Sequence, residues 1–186
     1  PLLRLKNSKV IFAITGDVNF NIIRNESKIE KGNCYQSYIL ESGDQLDIVS
    51  TNRSVYGYLS IHGGYNIDPF WNSFSVNTKA KIGPNNGEKF SNNQKIFINN
   101  IKEPFQKKKI NYLNSKIEFI RVIKGTNYNY FSEEAKKIFL SKEFIVSKLS
   151  DRMGMRLEGE KLENIVDTNI RSEGLIKGVI QVPADG

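Results

Sequence analysis

The sequence predicts a mostly β protein with one or two short helices. Three observations carry that prediction. Short runs rich in Val, Ile, Phe and Tyr recur along the chain, several alternating with polar residues as half-buried strands do. Clusters of Gly, Asn, Asp and Ser separate these runs, and such residues make turns. Only one stretch, after Phe131, joins a helix-capping residue to apolar positions at helical spacing.

The elements follow in order. Pro1 opens directly into a strand-like run. Residues 10–15 (Val10, Ile11, Phe12, Ala13, Ile14, Thr15) are apolar on both faces and predict a buried strand. Gly16-Asp17 ends it, and residues 18–23 alternate Val, Phe and Ile with Asn. Residues 33–40 form a third run. Glu41-Ser42-Gly43-Asp44 is a turn before the alternating strand 45–49. Residues 55–61 follow, closed by Gly63-Gly64, and residues 95–101 predict another strand. Residues 117–123 restart the pattern and Gly125 ends it. Ser132 can cap a helix with Glu133 and Glu134 at its positive end and Ala135, Ile138 and Phe139 on one apolar face. Lys142 lies near its negative end. Short strands are then expected at 144–146, 156–158 and 179–182, the last stopped by Pro183 or set at a sheet edge.

Two units are expected: a β domain over 1–102, a basic linker over 103–116 and a second domain over 117–186. Pro104, Lys107-Lys108-Lys109, Asn111 and Asn114 give the linker its exposed character. There is no internal repeat.

Composition bounds the function classes. The chain has 186 residues, 39% hydrophobic and 25% charged, within the range of an ordinary globular protein. No apolar run approaches the roughly 20 residues that a membrane-spanning helix needs. A single cysteine, Cys34, excludes an internal disulfide and points to a reducing cytoplasm. With one histidine, His62, it cannot build a Cys/His zinc site, and it reads as a partly buried thiol rather than half of a Cys–His dyad. The net charge of +7 suits an anionic partner. Yet 20 Lys, 23 Ile and 21 Asn describe the bias of AT-rich coding, with lysines scattered over the surface. No nucleic-acid motif accompanies them, so neither nucleic acid nor membrane is expected as partner.

No phosphate-cradling loop, dinucleotide fingerprint, HExxH or GxSxG occurs. Two stretches carry possible chemistry instead. His62-Gly63-Gly64 ends a tyrosine-bearing strand, where adjacent glycines let backbone N–H groups approach a ligand or simply turn the chain. Residues 147–159 hold Arg152, Arg156, Asp151 and Glu158 among glycines. Arginine forks suit a carboxylate, a phosphate or a developing oxyanion, and the acids can orient them or move protons. A hairpin knitted by salt bridges is the other reading. Glu173, and Gln181 in an apolar run where a buried amide needs partners, add polar groups nearby.

Ser150-Asp151-Arg152-Met153-Gly154-Met155-Arg156-Leu157-Glu158-Gly159 resembles the SDRMGYRLEG signature of the allophanate hydrolase subunit 2 family. That family includes kinase-inhibitor antagonists, the C subunit of bacterial 5-oxoprolinase and half of the carboxyltransferase region of urea carboxylase. Residues 172–186, with Ser172-Glu173-Gly174 and Ile180-Gln181-Val182-Pro183, are similar to its SEG…IQVPxDG segment. Residues 13–17 resemble ALTGAD, residues 58–64 resemble YLAVAGG, and Ile123-Lys124-Gly125 with Tyr130-Phe131 fits VLPGP…WF. The match departs at residues 72–77, where the family's GSRSTD has its arginine replaced by Phe74 and its threonine by Val76. Lys177 likewise stands for a proline. The family's QD-GR segment before this region and TTGGYP segment after it do not occur, so the chain is expected to be an internal piece, with both domains incomplete.

The resemblance implies a cyclophilin-like β-barrel preceded by a smaller β-barrel-like domain. It implies a subunit of a heteromeric, ATP-dependent enzyme opening a cyclic amide, foremost 5-oxoproline to glutamate, with an allophanate hydrolase subunit 1-like, cyclophilin-like partner. ATP is expected with that partner. Biotin enters only in the alternative, a carboxyltransferase half of a urea carboxylase-type system. A non-catalytic antagonist of a kinase inhibitor is the third implication. Carried onto matched positions, Asp151, Arg152, Arg156 and Glu173 are expected to be catalytic. His62, Gly63, Gly64, Glu158 and Gln181 are expected to bind a small amide or lactam, and no metal ligand is expected.

Overall fold

The computed structural model describes residues 1–52, 55–99, 104, 106–111, 119–166, 170 and 173–183. The chain divides into two compact units, Pro1–Ser115 and Lys116–Gly186. The described residues are mostly β, with one α-helix and two single-turn 3-10 helices.

In the first unit, β1 (Leu2–Arg4), β3 (Val18–Arg24), β4 (Lys28–Lys31) and β6 (Gln45–Thr51) form one antiparallel sheet in the order β1-β6-β3-β4. A second antiparallel sheet runs β5-β2-β7 from β2 (Val10–Thr15), β5 (Ser37–Leu40) and β7 (Tyr58–Ile61). The chain passes from one sheet to the other at Gly16-Asp17. Strand alternation puts Val10, Phe12 and Ile14 of β2, Val18, Phe20 and Ile22 of β3, Tyr38 and Leu40 of β5 and Leu46 of β6 into one core. β2 thus buries one face, while Ile11, Ala13 and Thr15 on the other are half-buried, where both faces were expected inside. Three rings centre this core. Phe12 stacks on Tyr38 at 5.7 Å, and Phe20 meets Phe12 and Tyr38 edge-on at 6.2 and 5.9 Å. The Tyr38 hydroxyl leaves the apolar zone to accept the Asn33 N–H at 2.8 Å.

One buried ion pair joins the two sheets. Arg24 of β3 donates to the Asp44 carboxylate at 2.5 Å and to the Ile39 carbonyl of β5 at 2.7 Å. Asp44 also accepts the Glu41 N–H at 2.9 Å, and its own carbonyl accepts the Leu5 N–H at 3.0 Å. Burial pushes the Asp44 carboxyl up, but the Glu41 N–H, the Arg24 guanidinium and the Asn25 N–H outweigh it, and the net direction is down.

Residues 65–99 carry little regular pairing. The strand expected at 95–101 reduces, over the described positions to 99, to a single bridge between Ile98 and Tyr65. Local side-chain bonds hold the rest: the Asn77 Oδ1 accepts the Ala80 N–H at 3.1 Å and Asn85 donates to the Glu88 carbonyl at 2.9 Å. Part of the stretch expected as linker is bonded to the first unit. The Ser37 N–H reaches the Lys108 carbonyl at 2.9 Å, and the Ile110 N–H reaches that of Tyr35 at 2.9 Å. Lys102 and Asn114 lie outside the described residues.

In the second unit, α1 (Glu133–Ser141) starts where the capping signal put it, with the Ser132 hydroxyl accepting the Ala135 N–H at 3.1 Å. β8 (Ile145–Val146) pairs antiparallel with β9 (Leu157–Glu158). The helix start is tied to residues 163–165 by the Ser132 N–H on the Glu163 carbonyl (3.4 Å) and the Ile165 N–H on that of Tyr130 (2.7 Å). Its end is tied to the exit of β9 by Lys142–Glu160 at 3.2 Å. Phe139 and Phe144 pack at 6.1 Å. A Cβ on Gly159 would sit 2.4 Å from the Phe144 ring, so only glycine lets β9 leave beneath that ring. Among the described residues, strand pairing here stops at β8–β9 and a bridge from Phe131 to Asn164 and draws no closed barrel.

Two expected strands do not form over their described residues. Positions 119–123 and 179–182 are irregular, and Ile120 and Ile123 are 82% and 96% exposed. A strand persists only where a neighbour completes its ladder, and no described segment pairs with either stretch. Ile117, Glu118 and residues 184–186 lie outside the described residues. No helix among the described residues is long and apolar enough to cross a membrane.

Two outcomes test this packing. Asp44→Ala takes one partner from Arg24, which keeps the Ile39 carbonyl and Glu30, and is expected to cost about 1.5–3 kcal/mol of first-unit stability in denaturant unfolding. Because the Asp44 carboxyl is held low, its contribution is present above the ordinary carboxylate range and lost as pH falls through the folded-state value. The parent melting temperature should therefore drop in acid more steeply than that of Asp44→Asn. Gly159→Ala is expected to lower the melting temperature by several degrees, on the order of 1–3 kcal/mol for overpacking. In a Phe144→Ala background the same change should cost much less, read as non-additivity in a double-mutant cycle.

Candidate functional site

The signature stretch folds as a loop closed at its base and turned at its tip. The Ser147 N–H donates to the Arg156 carbonyl at 2.8 Å and extends the β8–β9 ladder by one rung. Ser150 then clasps the same residue twice: its hydroxyl accepts the Arg156 N–H at 2.9 Å and donates to the Arg156 carbonyl at 3.2 Å. Ser147 is buried, and its hydroxyl accepts the Leu149 N–H at 3.3 Å.

At the tip, Asp151 governs a four-residue turn. Its Oδ1 accepts the Met153 N–H at 2.8 Å and the Gly154 N–H at 3.1 Å, and its N–H donates to the Gly154 carbonyl at 3.1 Å. Such a carboxylate replaces backbone acceptors that an exposed turn lacks. Arg152 occupies the second position of this turn, and Arg152 and Arg156 are both exposed. Glu158 lies on β9 opposite Ile145. Strand alternation places Arg156 and Glu158 on the same face of the hairpin. Two guanidinium groups on one short loop offer paired donor forks to a carboxylate or oxyanion.

The other expected residues lie elsewhere. His62, Gly63 and Gly64 belong to the first unit, in the turn after β7. The His62 N–H donates to the Ile11 carbonyl and the Gly64 N–H to that of Ile61, at 2.8 and 2.9 Å. Asn99 covers the carbonyl side, with its side chain on Gly63 at 2.9 Å and its N–H on Gly64 at 3.1 Å. Both glycines have positive φ, +84° and +77°, and the Gly64 position opens onto empty space. The N–H groups of His62 and Gly64 are thus engaged within the first unit. Glu173 and Gln181 are in irregular backbone of the second unit, outside the 147–156 loop. The burial expected for Gln181 is absent: it is exposed, because its apolar run has no ladder to pull it inside. Ser172 lies outside the described residues.

The two serines escaped the sequence reading as functional residues. Their spacing, Ser147 and Ser150 around Lys148-Leu149, is the only signal, and hydroxyls at loop bases are too common for it to point anywhere. Among the described residues no group of three His, Cys, Asp or Glu side chains could hold a metal ion. Cys34 is half-buried in the first unit with its thiol 3.3 Å from the Val18 carbonyl.

Known proteins resemble this chain in sequence and in fold. The C subunit of 5-oxoprolinase from Escherichia coli (strain K12) is 28% identical over 151 residues, 79% of this chain and 47% of that protein. Its counterpart of the same name from Haemophilus influenzae is 26% identical over 153 residues, 82% of this chain and 49% of that protein. The chain thus spans about half the length of these curated relatives. Among solved structures, one of TTHA0988 superposes with a TM-score of 0.69 at 22% identity, covering 87% of this chain and 31% of that one. The Kluyveromyces lactis urea carboxylase superposes at 0.64 and 19%, covering 86% and 15%. These two likenesses show the fold alone. All 186 residues, 1–186, match the family described as the carboxyltransferase domain, subdomain A and B, and the chain belongs to that family.

Proposed function

We propose that this chain is part of one subunit of a heteromeric, ATP-dependent enzyme that opens the C–N bond of a cyclic amide, with 5-oxoproline giving glutamate. The observation that carries the reading is the pair of arginines on the 147–156 loop, in a chain whose curated relatives are named as the C subunit of 5-oxoprolinase. A lactam carbonyl under attack gathers charge on its oxygen, and 5-oxoproline also bears a carboxylate. Arg152 and Arg156 supply one fork for each. Glu158, on the face of Arg156, is the described acid best placed to orient water, and Glu173 is the second. Gln181 remains a candidate for substrate contact in the second unit, and the His62-Gly63-Gly64 turn is a separate candidate in the first.

ATP supplies the driving force that a stable lactam requires, but the start of the one α-helix among the described residues is no seat for its triphosphate. The one α-helix among them opens with Glu133 and Glu134, which repel phosphate, and Ser132 already caps it. Nucleotide therefore belongs, in this reading, to an allophanate hydrolase subunit 1-like partner or to residues beyond those described. The setting is cytoplasmic.

A second reading is favoured by the family description itself: transfer of a carboxyl group from biotin to a urea-like nitrogen. Arg152 then polarises the carbamate oxygen, and biotin arrives on another chain.

The full-length gene, co-expressed with its genomic neighbours, is expected to release glutamate from 5-oxoproline only with ATP. Arg152→Ala in that complex should lower kcat/KM by about 10²–10³-fold, the effect of removing one oxyanion donor. Unchanged turnover in that variant removes Arg152 from the site. Biotin-dependent carboxylation of urea without glutamate release would select the second reading, and tight binding of a regulatory protein without any turnover would reject both.

A further inference from the structure

We infer that Asp151 is a positioning residue, whose carboxylate builds the turn that presents Arg152, and that it carries no proton during turnover. The inference rests on the reading that Arg152 meets substrate. The resemblance alone puts Asp151 among the catalytic acids, and the geometry assigns it different work. Its Oδ1 already accepts two backbone N–H groups, from Met153 and Gly154 at 2.8 and 3.1 Å. A proton on the Asp151 carboxyl would take the charge out of both bonds and loosen the turn. The backbone closes the same ring from the other side, with the Asp151 N–H on the Gly154 carbonyl at 3.1 Å. Ser150, the residue before it, is fixed by the two-way clasp on Arg156. Both arginines are thereby referred to one small frame. Arg156 is held through its own N–H and carbonyl, and Arg152 sits between the two ends of the Asp151 ring. The turn is exposed, and these bonds set the backbone from which the Arg152 side chain starts.

An asparagine separates the two roles. Its Oδ1 can accept the same N–H bonds, but it cannot take up or deliver a proton. An alanine does neither. In the active full-length complex, Asp151→Ala is expected to lose about 10²-fold in kcat/KM, as for a group displaced by about 1 Å. Asp151→Asn should recover most of that loss, to within about 10-fold of the parent, and should keep every limb of the parent pH profile. Amide exchange at Met153 and Gly154 should quicken in Asp151→Ala and stay near the parent rate in Asp151→Asn. Asp151→Asn as inactive as Asp151→Ala, or a pH limb lost in the asparagine variant, overturns the inference. If the parent complex turns over no substrate, the reading of Arg152 fails by itself. The exchange rates then decide the frame: equal rates in all three proteins overturn it, and quickening in the alanine variant alone sustains it.

Discussion

The first unit depends on one ion pair. Two sheets can slide on an apolar layer, because hydrophobic contact is non-directional. Arg24 and Asp44 supply direction. Arg24 leaves the sheet of β3, reaches the carbonyl of Ile39 in the other sheet and meets a carboxylate anchored by the turn after β5. The Leu5 N–H on the Asp44 carbonyl brings the end of β1 to the same point. The three-ring contact of Phe12, Phe20 and Tyr38 therefore has one register. The Gly63-Gly64 turn, hung between β7 and Asn99, inherits its position from it.

The second unit is organised differently. Ala135 and Leu162 are its buried hydrophobic residues among those described, so packing supplies little. Order comes from short bonds around α1: its start clipped to residues 163–165, its end to Glu160, and Phe144 laid over Gly159. The signature loop continues that economy. Hydroxyls of Ser147 and Ser150 and the carboxylate of Asp151 take the place of neighbouring strands. Within the ten-residue motif, Ser150 and Asp151 accept backbone N–H groups and Gly159 lets the Phe144 ring come close.

The legible part of the fold is the part with one-sided burial. β2, β3 and β6 announce themselves because Phe12, Phe20 and Leu46 recur at alternate positions facing one core. α1 is legible through Ser132, Glu133 and Glu134, which act locally and need no partner. β4 is not legible, since Lys28, Ile29, Glu30 and Lys31 are all exposed and its ladder with β3 alone makes it a strand. Residues 119–123 and 179–182 fail in the opposite sense. Their composition is strand-like, but no described neighbour supplies the ladder. The site splits the same way. Residue types on the 147–159 stretch were readable as donors and acids. That the Asp151 carboxylate accepts two backbone N–H groups was not, because a carboxylate that does so and one that does not look identical in sequence.

Solvent then limits what the arginine pair can do by itself. Two unit charges about 4 Å apart attract by about 1 kcal/mol in water and about 4 kcal/mol at the effective dielectric of a partly covered protein site. Arg152 and Arg156 are exposed, as are Leu149, Met153 and Met155 beside them. An exposed guanidinium at a protein surface lies between these limits, so a developing oxyanion on this loop gains between about 1 and 4 kcal/mol, against the roughly 3–4 kcal/mol that a useful oxyanion donor supplies. Covering the loop when substrate is bound moves the gain toward the upper limit and also excludes competing water. The Asp151 turn then has a clear use: a backbone fixed before closure loses less freedom when the site dries, so more of the attraction survives into the transition state.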